Sequence, residues 1–157
     1  MQLIAALVTI LSPLIASGLI MLLGSLLGER VAKIGMIGLI ISTGAALLSL
    51  YALVQGPSLY FALPYLPDLI APNVFIDRLA GVMMVLVAGV SLVIHVYSSR
   101  YMRGDQGYVK FFGLLGLLTS VLLMLVTSGH LLWLFLFWHA VTWILRTLLA
   151  FNKNSLA

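Results

Sequence analysis

The sequence predicts an all-α integral membrane protein with five transmembrane helices. Of its 157 residues, 63% are hydrophobic and only 8% are charged, whereas a soluble domain has about 25% charged residues. Apolar runs of about 20 residues, the length that crosses a hydrocarbon core, recur along the chain. Short polar or glycine-containing turns separate most of these runs. We therefore expect a bundle of helices in a lipid bilayer.

The first predicted region, residues 1–54, contains two transmembrane helices. The first runs from Leu3 to Leu27 and contains Pro13, which neighbouring helices can accommodate in a membrane. The second runs from Ile34 to Val54. Its small residues either allow another helix to approach closely or are simply tolerated, as glycine often is in membrane helices; they are Gly35, Gly38 and Gly44.

The second predicted region, residues 55–78, is a proline-rich extracytoplasmic connection. Prolines at this density oppose a continuous helix, and aromatic side chains suit the boundary between membrane and water. We expect a short interfacial segment lying on the membrane. The residues that support this interpretation are Pro57, Pro64, Pro67 and Pro72, together with Tyr60, Phe61 and Tyr65.

The third predicted region, residues 79–157, contains three transmembrane helices. An aspartate favours the start of a helix and its dipole, so Asp77 and Arg78 are expected to begin the first of them. Only Gly129 and His130 separate the last two helices, which predicts a tight antiparallel hairpin. The predicted spans are Leu79 to Ser98, Phe111 to Ser128 and Leu131 to Phe151.

The basic residues predict the orientation of the chain. Five helices place the two termini on opposite sides, and positive charge accumulates on the cytoplasmic side. We expect the N-terminus outside and the C-terminus in the cytoplasm, in a bacterial inner membrane. Because topology explains the net charge of +4, we expect a lipid partner and no nucleic acid. One side has only Arg78, and the other has Arg30, Lys33, Arg100, Arg103, Lys110 and Lys153.

Several kinds of chemistry lack a sequence signal. The chain has no cysteine, which excludes disulfides, thiolate-bound metals and cysteine nucleophiles. It has no Gly-x-Gly-x-x-Gly, Walker A or His-Glu-x-x-His motif. The three histidines do not pair at helical spacing, which disfavours haem. We expect no cofactor, no metal and no catalytic residue; whether the protein is an enzyme stays open, since any translocase activity would belong to a complex.

The candidate functional residues are ionisable groups within apolar helices, where charge is costly. His139 and Arg146 are seven residues apart and share one helix face, with Thr142 between them. They are candidates for a proton relay or for contact with charges on a neighbouring subunit. Alternatively, Arg146 extends to the interface, and a neutral His139 bonds to another helix. His95 is also a candidate, but we expect it at the membrane interface.

The segment from Arg100 to Lys110 forms a charged turn between two predicted helices. Asp105 lies between two glycines, a pattern typical of a turn. Arg100, Arg103 and Lys110 are interpreted first as determinants of topology.

The segment Ile94 to Phe112 resembles the N-terminal domain of proton-antiporter-like membrane subunits. Its pattern is Tyr-Met-Arg-Gly-acidic-x-Gly-Tyr-x-basic-Phe-Phe, and the resemblance covers roughly Phe75 to Phe151. The family includes the L subunit (chain 5) of respiratory complex I, the A subunit of Mrp-type sodium/proton antiporters and the B subunit of DAB-type inorganic carbon transporters. The resemblance implies proton movement coupled to redox chemistry or to bicarbonate uptake in partner membrane subunits.

The last predicted helix departs from the complex I pattern. Trp138 is followed by His139, where the complex I subunit has a glutamate, and this puts the glutamate–lysine proton step in doubt. The later residues look more like the inorganic-carbon-transporter subunit. These residues are Ala140, Thr142, Leu145, Arg146, Leu148, Leu149 and Phe151.

The chain is also much shorter than members of this family, which have many more helices, including broken helices with lysines. The resemblance therefore implies a truncated antiporter-like bundle, which is a split subunit or works with another subunit that supplies the rest. Two alternatives are a structural membrane subunit without its own ion pathway and a non-functional truncated fragment.

Overall fold

The computed structural model describes residues 2–62, 73–105 and 107–151, and it confirms the predicted fold class. All five helices are long and apolar enough to cross a membrane. A single 3₁₀ turn, Gly28–Arg30, joins the first two. The predicted spans lie within the observed helices to within a few residues. The helices are α1 (Gln2–Leu27), α2 (Val31–Gln55), α3 (Arg78–Tyr101), α4 (Tyr108–Thr127) and α5 (Leu131–Phe151).

The connection between α2 and α3 contains a small antiparallel sheet that the sequence analysis did not predict. Strand β1 (Leu59–Ala62) pairs with β2 (Asn73–Ile76), so that Leu59 lies opposite Ile76. Aromatic and β-branched residues in both segments favour extended structure. Three of the predicted prolines and one aromatic residue lie outside the described residues: Pro64, Pro67, Pro72 and Tyr65.

Strand β2 also contacts the turn between α4 and α5. The Gly129 backbone N–H donates to the Asn73 carbonyl at 2.8 Å, and Val74 forms an isolated bridge with Ser128. A Cβ added at Gly129 would lie 3.0 Å from the Cβ of Phe75, so glycine allows this close approach. The predicted tight hairpin is confirmed, and β2 packs on it.

The start of α3 is the predicted one. The Asp77 side chain caps the helix by accepting a hydrogen bond from the Ala80 backbone N–H at 2.7 Å. The Arg78 Nε then donates to the Leu53 carbonyl at 3.3 Å. This bond joins the start of α3 to the end of α2, so the two helices are antiparallel.

Glycines lie where the helices approach one another. A Cβ added at Gly38 on α2 would lie 2.7 Å from the Cβ of Ala16 on α1. A Cβ added at Gly116 on α4 would lie 3.0 Å from the Cβ of Ser17, also on α1. Helix α1 therefore packs closely against both α2 and α4. By contrast, Gly44 faces open space.

The antiparallel arrangement collects the basic residues at one end of the bundle, here called the basic end. The α1–α2 turn and the α3–α4 turn lie there, and the two-stranded sheet lies at the opposite end with Arg78. The described residues of the basic end are Arg30, Lys33, Arg100, Arg103 and Lys110, while the predicted Lys153 lies outside the described residues.

Candidate functional site

His95 lies in the interior of the bundle, whereas the sequence analysis expected it at the membrane interface and did not predict that it is buried. Its side chain is 0% exposed. The ring lies against Gly35 of α2 and against the Phe112 ring of α4, with 5.6 Å between ring centroids. Nearness to a helix end suggested the interface, but the face of the helix decides burial. A stripe at helical spacing reveals that face: Met84, Ala88, Ser91, His95 and Ser98 are all buried.

The hydrogen bond of His95 determines which ring nitrogen holds the proton in the neutral form. Its Nδ1 lies 3.0 Å from the Ser91 carbonyl oxygen. Because a carbonyl only accepts, Nδ1 must be the donor, and the lone pair of a neutral ring is then on Nε2. The buried Nε2 has no hydrogen-bond partner among the described residues. The ring therefore has one satisfied donor and one unused acceptor.

Two hydroxyl groups continue the polar cluster beside His95. The Thr119 Oγ1 on α4 donates to the Ser91 Oγ on α3 at 3.0 Å, and both side chains are buried. The same Oγ1 lies 3.0 Å from the Leu115 carbonyl, so its single proton has two possible acceptors. We call His95, Ser91 and Thr119 the buried cluster.

Gly35 provides the space that the imidazole occupies. A Cβ added there would lie 3.0 Å from His95 Cδ2 and 3.3 Å from His95 Nε2. Both distances are shorter than ordinary van der Waals contact. The unpaired nitrogen thus faces the backbone of α2 at a position without a side chain.

A second candidate site is the exposed face of α5. His139, Thr142 and Arg146 are all exposed, and they share one face of the helix, as their spacing requires. The His139 Nδ1 lies 2.9 Å from the Phe135 carbonyl, and the Thr142 hydroxyl donates to the Trp138 carbonyl at 3.0 Å. We call these three residues the α5 polar face.

The opposite face of α5 holds the helix against α4. Among the described side chains of α5, only Ile144 is fully buried, and it packs with Leu114 and Val121 of α4. The His139 and Arg146 side chains therefore lie on a surface separate from the buried cluster. The structure brings His95 together with Ser91 and Thr119, but not with the α5 polar face.

The charged turn after α3 has the predicted geometry at Asp105. The Asp105 carboxylate accepts a hydrogen bond from the Gly107 backbone N–H at 2.7 Å. Gly104 has a φ of +87°, a conformation that favours glycine. Arg100, Arg103 and Lys110 are exposed around this turn. Within the described ranges, no group of three or more His, Asp or Glu side chains is arranged to hold a metal ion.

Comparison with known proteins shows what this chain is similar to. Residues 70–112 match the family model described as the N-terminus of NADH-ubiquinone oxidoreductase (complex I) chain 5. This match supports a similarity to the N-terminal part of an antiporter-like membrane subunit. It is 34% identical over 150 residues to the probable inorganic carbon transporter subunit DabB1 of Halothiobacillus neapolitanus, a match that covers 92% of this chain and 26% of that protein.

Two further relatives are quinone oxidoreductase subunits with shorter matches. The chain is 51% identical over 65 residues to NADH-ubiquinone oxidoreductase chain 5 of Acanthamoeba castellanii, which covers 41% of this chain and 10% of that protein. It is 43% identical over 67 residues to the chloroplastic NAD(P)H-quinone oxidoreductase subunit 5 of Draba nemorosa. This match covers 43% of this chain and 9% of that protein. The chain spans about a quarter or less of the length of these curated relatives.

Proposed function

We propose that this chain is the N-terminal membrane portion of an antiporter-like subunit in a proton-coupled complex for inorganic carbon uptake. The observation that supports this function is the extent of similarity. The match to the inorganic carbon transporter subunit covers 92% of the chain, whereas the matches to the quinone oxidoreductase subunits of Acanthamoeba and Draba cover 41% and 43%. The residues that follow His139 on α5 also look more like the transporter subunit, and His139 itself departs from the complex I pattern.

A second candidate function is that of an L-like membrane subunit in a complex I-type NADH:quinone oxidoreductase. The family model of complex I chain 5 favours it, because it matches the charged turn and the helix before it. The identity in the shorter matches is also higher, at 51% in one case. In this function the chain contributes to proton movement, and partner subunits perform the redox chemistry.

The α5 polar face contacts another subunit in this proposal. A cation on a membrane helix is costly when it faces lipid, and Arg146 and His139 both lie on the exposed side of α5. We infer that this face packs against a transmembrane helix whose side chains include a carboxylate. Opposite charge lowers the cost of burying the guanidinium and allows His139 to exchange protons across the contact.

The first test replaces two side chains of the α5 polar face, one at a time, in the native assembly. We expect His139→Leu and Arg146→Leu to lower proton-coupled bicarbonate uptake by about tenfold or more, because each removes a group that holds or transfers charge. The control Thr147→Leu replaces a polar residue elsewhere on α5. Uptake of labelled bicarbonate and quenching of a pH-sensitive dye in membrane vesicles measure the effect, and native gels measure assembly.

The outcomes separate the alternatives. Unchanged uptake and proton flux in a fully assembled complex would exclude the α5 polar face from the ion pathway and leave it as a structural contact. Deletion of the whole chain tests the coupling itself: loss of NADH-driven quinone reduction would favour the second candidate, and no effect on either activity would overturn both.

We also propose that the protein lies in a bacterial inner membrane, with its N-terminus outside and its C-terminus in the cytoplasm. The support is the charge difference between the two ends of the bundle. Five described basic side chains lie at the basic end and only Arg78 at the other. Such a difference orients membrane helices with the basic loops in the cytoplasm.

A further inference from the structure

We propose that His95 is a proton-binding site, which accepts a proton at Nε2, the ring nitrogen that faces Gly35. This inference rests on the proposed proton-coupled function and names a residue inside the five-helix unit that takes part in it. It concerns the buried cluster, which is separate from the α5 polar face.

The first argument is the unequal use of the two ring nitrogens. Nδ1 donates to the Ser91 carbonyl, while Nε2 is buried without a partner among the described residues. A buried acceptor left unpaired costs about 1–3 kcal/mol, so a histidine that only joined helices would use both nitrogens. An unused lone pair on a fixed ring is instead suited to receive a proton.

The transfer needs no other reactant than a proton donor such as hydronium. The Nε2 lone pair forms a new N–H bond, the donor becomes water, and the ring becomes imidazolium. The Nδ1–H bond to Ser91 persists and strengthens, because a charged donor makes a stronger hydrogen bond. Release of the Nε2 proton restores the original ring.

The second argument is the set of groups that surround the ring. Helix α2 presents Gly35, and Lys33 on the same helix is exposed. Helix α4 presents Phe112, and the buried Tyr108 phenol lies behind it at 4.8 Å between ring centroids. Helix α1 contributes the side chain of Ile20, which also approaches Gly35. Helix α3 itself contributes the uncharged Ser91 and Ser98.

None of these neighbours is a carboxylate, and the described aspartates, Asp77 and Asp105, lie in the segments at the ends of α3. Among the side chains that the structure describes, no anion is therefore placed to hold the Nε2 proton in an ion pair. An imidazolium without an anion in a buried position is costly. The site is consequently suited to brief occupancy and onward transfer rather than to storage of charge.

The third argument is depth. His95 precedes the last residue of α3, Tyr101, by six residues, which is about 9 Å along the helix. Gly35 follows the first residue of α2, Val31, by four residues, or about 6 Å. Nε2 is therefore within two helical turns of the basic end. Ser91 continues the cluster one turn further inward, where it meets Thr119.

The test in the native assembly is His95→Asn. Asparagine keeps a donor near the position of Nδ1 and removes the acceptor Nε2. We expect proton-coupled uptake to fall by about tenfold or more, with the chain assembled in normal amounts. His130→Asn, in the turn before α5, is the matched control and should leave uptake unchanged. Gly35→Ala, which crowds Nε2 without removing it, should lower uptake to an intermediate level.

A spectroscopic measurement reads the site independently of transport. The full chain with His130→Asn and His139→Asn has His95 as its single histidine. In lipid bilayers, ¹⁵N solid-state NMR of the labelled ring should show a proton on Nδ1 and a bare Nε2. Lowering the pH should reversibly protonate Nε2. If His95→Asn fails to assemble, this measurement still tests whether Nε2 of His95 accepts a proton.

Three results would overturn the proposal. They are full uptake by an assembled His95→Asn variant, a neutral ring with its proton on Nε2, and a ring that never gains a second proton while the chain stays folded. The proposed function fails separately, when deletion of the whole chain leaves transport unchanged. The NMR result does not depend on that outcome.

Discussion

The Asp77 carboxylate determines where α3 begins, and its role follows from local chemistry. The first backbone N–H groups of a helix have no partner within the helix. Asp77 accepts one of them, from Ala80, at 2.7 Å. The sequence predicted this helix start because aspartate before a long apolar run is a strong local signal. The burial of His95 was not predicted, because it depends on which helices surround this residue.

Removal of the Asp77 cap should destabilise the protein measurably. We expect Asp77→Ala to lower the free energy of unfolding by about 1 kcal/mol, since loss of an N-cap side chain costs ~0.5–2 kcal/mol. Asp77→Asn retains an acceptor oxygen and should lose less. Thermal unfolding of the purified chain in detergent, followed by tryptophan fluorescence, measures both. Equal melting temperatures for the alanine variant and the native chain would contradict a capping role.

At the scale of elements, close approach between helices depends on where a side chain is missing. Packing rather than water exclusion drives association of helices in lipid, so small residues matter at contacts. The sequence left open whether the glycines of α2 serve this purpose, and the structure separates them. Gly35 and Gly38 lie at contacts, while Gly44 lies in open space. One helix alone cannot reveal its neighbours, so this difference was not readable from the pattern.

The pair Gly38→Ala and Gly44→Ala tests this difference with the same chemical change. The methyl group at position 38 meets the Cβ of Ala16, and overpacking of a well-packed contact costs about 1–3 kcal/mol. At position 44 the added methyl meets no other group, and the higher helix propensity of alanine should leave stability equal or slightly raised. Unfolding by sodium dodecyl sulfate in mixed micelles measures both variants. The same loss at both positions would refute the assigned helix contact.

At the scale of the whole molecule, the five helices were predictable because the bilayer imposes length and composition on every span. The small sheet of β1 and β2 was not predictable, because its two strands have four residues each and are distant in sequence. The shared face of His139, Thr142 and Arg146 followed from helical spacing alone. The helix that we propose to cover that face was not readable from the sequence, because contacts with another chain leave no periodic signal in this one.

The absence of cysteine from the chain allows a direct test of the proposed orientation. Ser58→Cys and Lys33→Cys place a thiol on exposed residues at opposite ends of the bundle. In intact cells with a permeable outer envelope, a membrane-impermeant maleimide should label the cysteine at position 58 and not the one at position 33. After the membrane is opened, both should react. Labelling of position 33 alone in intact cells would show that the orientation is the reverse of the proposed one.

The contact between α1 and α4 bears on how the ribosome and the translocon build this protein. The first helix enters the bilayer while α4 has not yet been synthesised, since the chain is made from its N-terminus. The side of α1 around Ser17, which later receives Gly116, therefore faces lipid or a chaperone in the meantime. The bundle can therefore close around α1 only after α4, the third helix to follow it, has been inserted.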